Sequence, residues 1–216
     1  MNKRDFLKSG LAVGAAAISA PYASQLLAQS GNGYELIDPP LNTRVSDKVE
    51  VIEYFWFGCP HCFAFEPAIN AWKDNDKPDY VEFVREAPPL NPSWEPHSRA
   101  FYAAELMGVS DQFVEPMFNA IHVDRRTVRS PKQIVKFVDD LGIDSDKFSK
   151  TMDSFATNTR INQAMQMAAG AGVRGVPAIV VNGKFLTGGS LAGSHDNVIR
   201  VINELSASEF EKMNAG

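Results

Sequence analysis

Cysteine is scarce in this chain of 216 residues, which contains only two. So few cysteines exclude a disulfide-dense scaffold and a zinc site built from four thiolates. Basic residues are also in deficit, because Lys and Arg total 21 against 26 Asp and Glu, for a formal net charge of -5. A nucleic-acid-binding domain needs a basic face, so no nucleic-acid partner is expected. The 44% of hydrophobic residues predict one folded domain, with or without an insertion, rather than a low-complexity, coiled-coil or multi-pass membrane protein.

The apolar run near the N-terminus, Leu11 to Ala20, is too short to span a bilayer. A short basic stretch precedes it and small residues follow it, which is typical of a signal peptide and predicts one over residues 1–28. Cleavage is expected after Ala28, with Ala20 as the alternative site and an uncleaved amphipathic N-terminus as the alternative interpretation. Export would deliver the protein to an oxidising compartment.

The start of that signal resembles a twin-arginine signal, except that Lys3 stands where the first arginine belongs and only Arg4 is present. Both the Sec route for unfolded proteins and a Tat-like route for folded ones therefore stay open.

The segment Val49 to Phe57 is almost continuously apolar and aromatic, which predicts a central strand that is buried on both faces. An apolar stripe through Cys62 and Phe65 then predicts a helix from Pro60 to about Lys73, kinked at Pro67. A second strand is expected at about Tyr80 to Glu86. Strand, helix and strand together predict a right-handed parallel unit.

Helical patterns follow Pro88, and strand patterns return near Pro177. The predicted helices are Pro96–Met107, Gln112–Ile121, Pro131–Leu141, Ser145–Phe155 and Arg160–Ala169. The later elements are strands at Pro177–Val181 and Lys184–Thr187, joined by an Asn182-Gly183 hairpin, and a helix at about Asp196–Leu205. The order βαβ, helices, ββα predicts an α/β fold with one sheet interrupted by a helical insertion.

Both cysteines belong to one motif, Cys59-Pro60-His61-Cys62, at the junction from the buried strand into the first helix. A structural disulfide there would close only about four residues and restrict the unfolded chain by about 2 kcal/mol, so it would be a poor staple. A zinc site lacks a second cysteine pair. A c-type haem would require His directly after Cys62, where Phe63 stands.

Dithiol redox chemistry fits the same residues. The helix stripe buries Cys62, while Cys59 lies at the helix start, where unpaired backbone N–H groups and the helix dipole stabilise a thiolate. His61 can donate to that thiolate or add positive charge and so lower the pKa of Cys59 further. A stabilised thiolate favours the reduced form and makes the disulfide strongly oxidising.

A second feature, Gly172-Val173-Arg174-Gly175-Val176-Pro177, lies far along the chain. Proline is tolerated at the first residue of a strand, and the flanking glycines permit close approach. An ordinary trans proline at a strand start is the alternative interpretation.

These features together resemble the thioredoxin fold and, within it, the DsbA family of periplasmic disulfide oxidoreductases. The resemblance rests on the strand, the Cys-Pro-His-Cys motif with Phe65-Glu66, the helical insertion and the Gly175-Val176-Pro177 loop, and it covers essentially the whole chain after the signal. It divides that chain into 29–90 and 164–216, the two parts of a thioredoxin domain, around a helical insertion at 91–163.

The resemblance implies an enzyme that introduces disulfide bonds into unfolded exported proteins in the periplasm. Cys59, Pro60, His61, Cys62 and Glu53 would be the catalytic residues, and a cis Val176–Pro177 peptide facing the dithiol would bind the substrate backbone. A DsbB-type, quinone-coupled membrane oxidase would reoxidise the Cys59–Cys62 pair, with no bound cofactor or metal.

Within the resemblance, two features favour a monomeric oxidase. Valine precedes the loop proline, where the related isomerases usually carry Thr. The stretch from Ala28 to Cys59 is too short for the N-terminal dimerisation domain that those isomerases possess. A reductase or isomerase kept reduced by another membrane partner remains the alternative, and a chaperone using the disulfide structurally is the alternative outside enzymes.

Glu53 is a carboxylate within a largely apolar strand. A buried and unpaired acid would be pushed toward its neutral form and could exchange a proton with Cys62, the role that the family suggests. Exposure at a sheet edge is the alternative, and the second strand contains no lysine to pair with it. Glu66 is interpreted mainly as a solvated charge. His97, His122 and His195 lack ligand spacing and are interpreted as structural or solvated.

Overall fold

The computed structural model describes residues 31–215, so the signal peptide expected at 1–28 lies outside them. Within the described residues the strands are β1 (Tyr34–Leu36), β2 (Val49–Tyr54), β3 (Val81–Glu86), β4 (Ala178–Val181) and β5 (Phe185–Thr187). The helices are α1 (Pro60–Ala71), α2 (Glu95–Met107), α3 (Ser110–His122), α4 (Pro131–Asp140), α5 (Ser145–Met152), α6 (Phe155–Gly170), α7 (Gly189–Ala192) and α8 (His195–Asn214). A π-helical turn, Trp72–Asp76, extends α1, and a 3-10 turn, Pro92–Trp94, precedes α2.

The five strands form one mixed sheet in the order β1-β5-β4-β2-β3. β2 pairs in parallel with β3 and antiparallel with β4, and β5 pairs antiparallel with both β4 and β1. All six residues of β2 are buried, because helices or loops cover both of its faces. The predicted central strand, the parallel β2–β3 pair and the α/β fold with a helical insertion are confirmed.

Layers on both sides of the sheet follow the two-residue alternation of β2. Val49 and Val51 pack with α1 and α8 on one side, while Ile52 and Tyr54 pack with the C-terminal part of α6 on the other. The hairpin predicted at Asn182-Gly183 joins β4 to β5 with positive φ at both residues. A side chain at position 183 would also meet the carbonyl oxygen of Leu41 at 2.3 Å.

Some predicted boundaries are wrong. Helix α6 begins at Phe155 rather than at Arg160, because the Ser154 hydroxyl caps it by accepting a hydrogen bond from the Thr157 N–H at 3.2 Å. Helix α8 continues past Leu205 to Asn214. Its last turns bury polar side chains, Ser206 and Glu209, which interrupt the apolar periodicity in the sequence. Strand β1 was not predicted, since three residues are too few for a recognisable alternation.

A group of aromatic rings joins the helices after β3 to the segment that leaves β2. Phe55 and Phe57 are both fully buried. The Phe55 ring meets Phe101 of α2 edge-on at 5.0 Å, and Phe57 meets Phe113 and Phe118 of α3 at 5.6 and 5.1 Å. Edge-to-face contacts of this kind fix ring orientation as well as burying area. The segment leading to Cys59 is thereby held between sheet and helices.

A buried polar network links the far side of the sheet to α2. The hydroxyl of Tyr102 donates to Glu86 Oε2 at 2.6 Å and accepts the Ala87 N–H at 3.1 Å. Arg44 donates to Glu86 and, at 2.6 Å, to Glu50 Oε1. Both carboxylates are 2% exposed, so each needs these partners to offset the cost of leaving water.

No helix within residues 31–215 has the length and apolarity needed to cross a membrane.

Two buried tyrosines provide a matched stability test of the buried polar network around Glu86. We expect Tyr102→Phe to lower the free energy of unfolding by about 1–3 kcal/mol, because it leaves the Ala87 N–H and one oxygen of Glu86 without a partner. Tyr54 is equally buried, but its hydroxyl has no partner among the described residues. Tyr54→Phe should therefore change the stability by less than about 0.5 kcal/mol or increase it. Urea unfolding at pH 7 measures both, and equal effects would contradict the network's role.

Candidate functional site

Cys59 is the N-cap residue of α1. Its Sγ accepts a hydrogen bond from the Cys62 N–H at 3.3 Å, so the sulfur occupies the place that an Asp or Ser oxygen takes in other helices. The helix begins at Pro60, whose fixed φ suits a first helical position and whose missing N–H is not needed there. The end of β2 and this cap together aim the sulfur at the first turn of the helix.

The loop between β2 and α1 holds the sulfur just beyond the C-terminal end of β2. The Cys59 N–H donates to the Trp56 carbonyl at 3.0 Å and closes a tight turn. Gly58 is required in that turn, because a side chain there would meet the Trp56 ring at 2.3 Å. His122 donates from Nε2 to the Phe57 carbonyl at 2.7 Å, which ties α3 to the same loop.

The loop before β4 lies against the same sulfur. The Val176–Pro177 peptide bond is cis, as the family resemblance implies. The Cys59 thiol donates to the Val176 carbonyl at 3.4 Å, although 117 positions separate the two residues. β2 and β4 are antiparallel neighbours, so the C-terminal end of β2 lies beside the start of β4. This pairing assembles the site from distant parts of the chain.

The Cys59 thiol is strongly acidified, and its pKa falls from 9.0 to about 6. The largest cause is a hydrogen bond from the Cys62 thiol, followed by the backbone N–H groups of Cys62 and His61 and by the charge of His61. Burial opposes them. The predicted contributions of the helix N-terminus and His61 have the expected direction, whereas the contribution of the Cys62 thiol was not anticipated.

Cys62 has the opposite character. It is 0% exposed on the inner face of α1, together with Phe65 and Ile69, as its position in the helix stripe predicts. Burial raises the pKa of the Cys62 thiol far above its usual range, and the negative charges of Cys59 and Glu53 raise it further. Cys59 therefore ionises readily to a thiolate, whereas Cys62 remains a protonated thiol. Both cysteines are free thiols in this structure.

Glu53 is completely buried in β2 and forms an ion pair with Arg85, whose Nε donates to Glu53 Oε2 at 2.8 Å. The alternative of an exposed Glu53 at a sheet edge is therefore wrong, because β2 is an interior strand. Arg85 is the partner that the sequence interpretation missed. It lies directly opposite Glu53 in the parallel register of β2 and β3, and a search for lysine alone overlooked it.

Glu66 is the second carboxylate on the same guanidinium. Its Oε1 accepts from Arg85 Nη2 at 2.9 Å, and Glu66 is only 7% exposed. The interpretation of Glu66 as a solvated charge is therefore wrong. Because two acids share one cation, one negative charge remains uncompensated, and burial raises the pKa of Glu53 to about 7 despite the attraction of Arg85.

The remaining histidines have structural surroundings. His97 is buried and donates from Nε2 to the Val128 carbonyl at 2.6 Å, and His122 stacks on the Phe63 ring at 4.8 Å. His195 lies next to the Phe65 ring at 5.0 Å. His61, by contrast, is exposed beside Cys59, where an incoming chain can reach it.

A groove of about 930 Å³ starts at His61 and passes the cis-proline loop. Its lining also includes residues 35–38, 170–178, 186–191 and 193–195. Val176 belongs to this lining and its carbonyl contacts the Cys59 sulfur, so an extended chain in the groove would pass next to the residue that touches that sulfur.

Comparison with known proteins agrees with this geometry. The model of the DSBA-like thioredoxin domain matches residues 50–192. The thiol:disulfide interchange protein DsbA of Burkholderia cepacia is 34% identical over 200 residues, which cover 92% of each chain. The protein of that name from Pseudomonas aeruginosa is 34% identical over 180 residues, covering 83% of this chain and 85% of that one. The crystal structure of Pseudomonas aeruginosa DsbA has a TM-score of 0.75 at 33% identity and covers 82% of this chain and 94% of that one.

A thioredoxin-like sheet that presents one acidified and one buried thiol defines a protein thiol:disulfide oxidoreductase, an enzyme that forms disulfide bonds by exchange. Within that class, the chain belongs to the DSBA-like thioredoxin domain family.

The acidity of Cys59 predicts an ultraviolet titration. Thiolate absorbance of the reduced protein near 240 nm should appear with a midpoint at about pH 6, and His61→Ala should raise this midpoint by roughly one unit or less, because an exposed charge is screened. Folding lowers the pKa of Cys59, so the thiolate adds to the folding stability of the reduced protein. This contribution is complete at pH values above the unfolded-state pKa of roughly 8.5 and disappears as the pH falls through about 6.

The matched control for the titration is Cys59→Ser. Cys62 then remains as the only thiol, and its raised pKa should suppress the absorbance change below pH 9. A wild-type midpoint near the value of a free cysteine would contradict the assignment of the thiolate to Cys59.

Proposed function

We propose that the enzyme works as an oxidase, with the Cys59–Cys62 disulfide as the oxidant. A substrate thiolate attacks Cys59 Sγ, the disulfide breaks, and its electron pair passes to Cys62 Sγ, which takes up a proton. A second substrate thiolate then attacks the substrate sulfur of the mixed disulfide and releases Cys59 as a thiolate. Two electrons have moved from the substrate to the enzyme, and the substrate has gained a disulfide.

The pKa difference within the pair is the observation that carries this proposal. Cys59 is the better leaving group because its thiolate is stabilised at a pKa of about 6, and a low leaving-group pKa speeds the second exchange. The same stabilisation favours the reduced enzyme over its disulfide, so the disulfide is easily reduced and strongly oxidising. Cys62 is suited to the other role, since it is buried and holds its proton.

Glu53 is proposed to handle the proton of Cys62. Its negative charge contributes to the raised pKa of that thiol, so the two groups are electrostatically coupled. With a pKa of about 7, Glu53 is close to equally protonated and ionised at neutral pH, which is the condition for accepting and returning a proton. Arg85 and Glu66 act as positioning residues, because Arg85 holds one oxygen of Glu53 and Glu66 holds Arg85. Glu53 Oε1 is left without a partner among the described residues.

Val176 and Pro177 are proposed to bind the substrate backbone. The Val176 carbonyl borders the groove next to the sulfur, and an extended peptide could pair with it as a short added strand. Recognition through backbone groups requires an unfolded chain but little particular sequence. Pro60 and His61 complete the motif, since Pro60 starts the helix and His61 adds charge near the thiolate.

The setting proposed for this reaction follows from the same family. The substrates are unfolded exported proteins, the compartment is the periplasm, and the enzyme acts as a monomer. A DsbB-type, quinone-coupled membrane oxidase would remove the two electrons from the Cys59–Cys62 dithiol and restore the disulfide. The dithiol itself is proposed to be the sole redox centre, without a bound cofactor or metal.

The reduction potential distinguishes an oxidase from a reductase of the same fold. We expect purified protein without its signal, equilibrated against glutathione and read by thiol trapping or by the fluorescence of Trp56, to have a potential well above the glutathione couple. Trp56 lies three residues before Cys59. A potential near that of thioredoxin would overturn the proposal and favour a reductase kept reduced by another membrane partner.

Single cysteine variants test the order of attack. We expect Cys62→Ser to accumulate mixed disulfides between Cys59 and reduced, unfolded substrates when oxidised glutathione is supplied as the oxidant, because Cys62 can no longer attack Cys59 and expel the substrate. Cys59→Ser should form none and lose oxidase activity completely. Gel electrophoresis without reductant detects the adducts. Adducts on Cys59→Ser but not on Cys62→Ser would reverse the assigned roles.

A further inference from the structure

The groove beside the dithiol has a direction that the strand register defines. Gly188 follows β5 and lies against the Pro177 carbonyl, where an added side chain would come within 3.1 Å. Thr187 pairs with Tyr34, and Phe185 pairs with Leu36, so β1 leads away from the cis-proline loop. The groove therefore has a near end at the dithiol and a far end beyond β1.

The near end carries an unpaired cation. Arg174 lines the groove, is exposed, and forms no ion pair or side-chain hydrogen bond with any residue between 31 and 215. It stands two residues before Val176, whose carbonyl contacts the sulfur of Cys59. Elsewhere in the groove lining, only the histidines His61 and His195 could add positive charge.

Acidic side chains lie within β1 and beyond it, toward the far end. Glu35 and Asp38 both line the groove, both are exposed, and neither forms an ion pair with another described residue. Asp38 lies four residues beyond Tyr34, which corresponds to about 13 Å of extended chain. The groove thus carries a cation next to the cis-proline loop and acids within and beyond β1, of which Asp38 is about four residues of extended chain from Tyr34.

We infer that this charge separation selects among substrates, and that Arg174 is a specificity-determining residue. The preferred substrate has an acidic side chain close to the reacting cysteine and a basic side chain about four residues further along. The inference rests on the proposed oxidase function and adds a charge preference to it.

Strand addition supplies the physical reason. A substrate strand that pairs with the Val176 carbonyl passes close to Arg174, because Arg174 lies two residues earlier in the same loop and also lines the groove. The protein has a net charge of -5 and would otherwise repel an acidic substrate, which makes one local cation decisive in the near half of the groove. An exposed ion pair of this kind changes affinity by about two- to fivefold.

Matched peptides test the inference. A neutral parent peptide with two cysteines is compared with one that carries Glu two residues from the reacting cysteine and Lys four residues further, and with one in which Glu and Lys are exchanged. Each design is made with the charges on either side of the cysteine. We expect kcat/KM for the first charged design to exceed that for the exchanged design by about two- to fivefold on at least one side, and salt to reduce this ratio.

Arginine variants assign the effect. Arg174→Ala should lower the kcat/KM ratio of the two charged designs to the part that the acidic side chains alone produce. Arg174→Glu should make the enzyme prefer Lys over Glu close to the cysteine, which loss of structure alone would not do. Glu35→Gln combined with Asp38→Asn should remove the dependence on the distant Lys. Arg129 is also exposed and without an ion pair among the described residues, but it lies outside the groove lining, so Arg129→Ala should leave the ratio unchanged.

The outcomes separate the two proposals. Equal rates for all peptides in the wild-type enzyme would overturn the charge preference and leave the oxidase function intact. An undiminished preference for the first charged design in Arg174→Glu would overturn the assignment to Arg174. Failure to oxidise even the neutral parent would overturn the oxidase function and, with it, the inference.

Discussion

The site depends on the clamping of Phe55 and Phe57 between the sheet and the helices that follow β3. Both rings are fully buried and meet partners on α2 and α3. The next residues in the chain are Gly58 and Cys59, so the aromatic contacts fix where α1 begins and therefore which sulfur receives the helix N–H groups. The inserted helices thus contribute to the acidity of Cys59 by holding the segment that leads to it.

Two groups of buried carboxylates in the core are organised by arginines. Arg85 pairs with both Glu53 and Glu66, whereas Arg44 pairs with Glu50 and Glu86 and Arg160 also lies 3.8 Å from Glu86. The two groups differ in what accompanies them. The Tyr102 hydroxyl adds a hydrogen bond to Glu86 in the second group, whereas Glu53 keeps an oxygen without a partner among the described residues. The better satisfied group suits structural support, and the incomplete one suits proton exchange.

Much of this could be predicted from local pattern. The burial of β2 followed from its continuous apolar residues, and the burial of Cys62 followed from helix periodicity. What could not be predicted depends on pairing between strands. Arg85 faces Glu53 only because β2 and β3 are in that register, and Glu66 is buried only because Arg85 reaches it. The full length of α8 could not be predicted, because Ser206 and Glu209 are polar although they lie on the buried face of the helix.

The position of β4 within the sheet has a consequence for the order in which the enzyme is made. Cys59 and its helix emerge early during synthesis, but the carbonyl of Val176 that lies against the sulfur is 117 positions later. β4 must pair with β2 before the two meet, and closing so long a loop is slow compared with forming a helix. A growing chain therefore carries a complete Cys-Pro-His-Cys turn while its sulfur still lacks the opposite wall. The protein matures from a bare thiol motif into an enzyme only when its last fifth has folded.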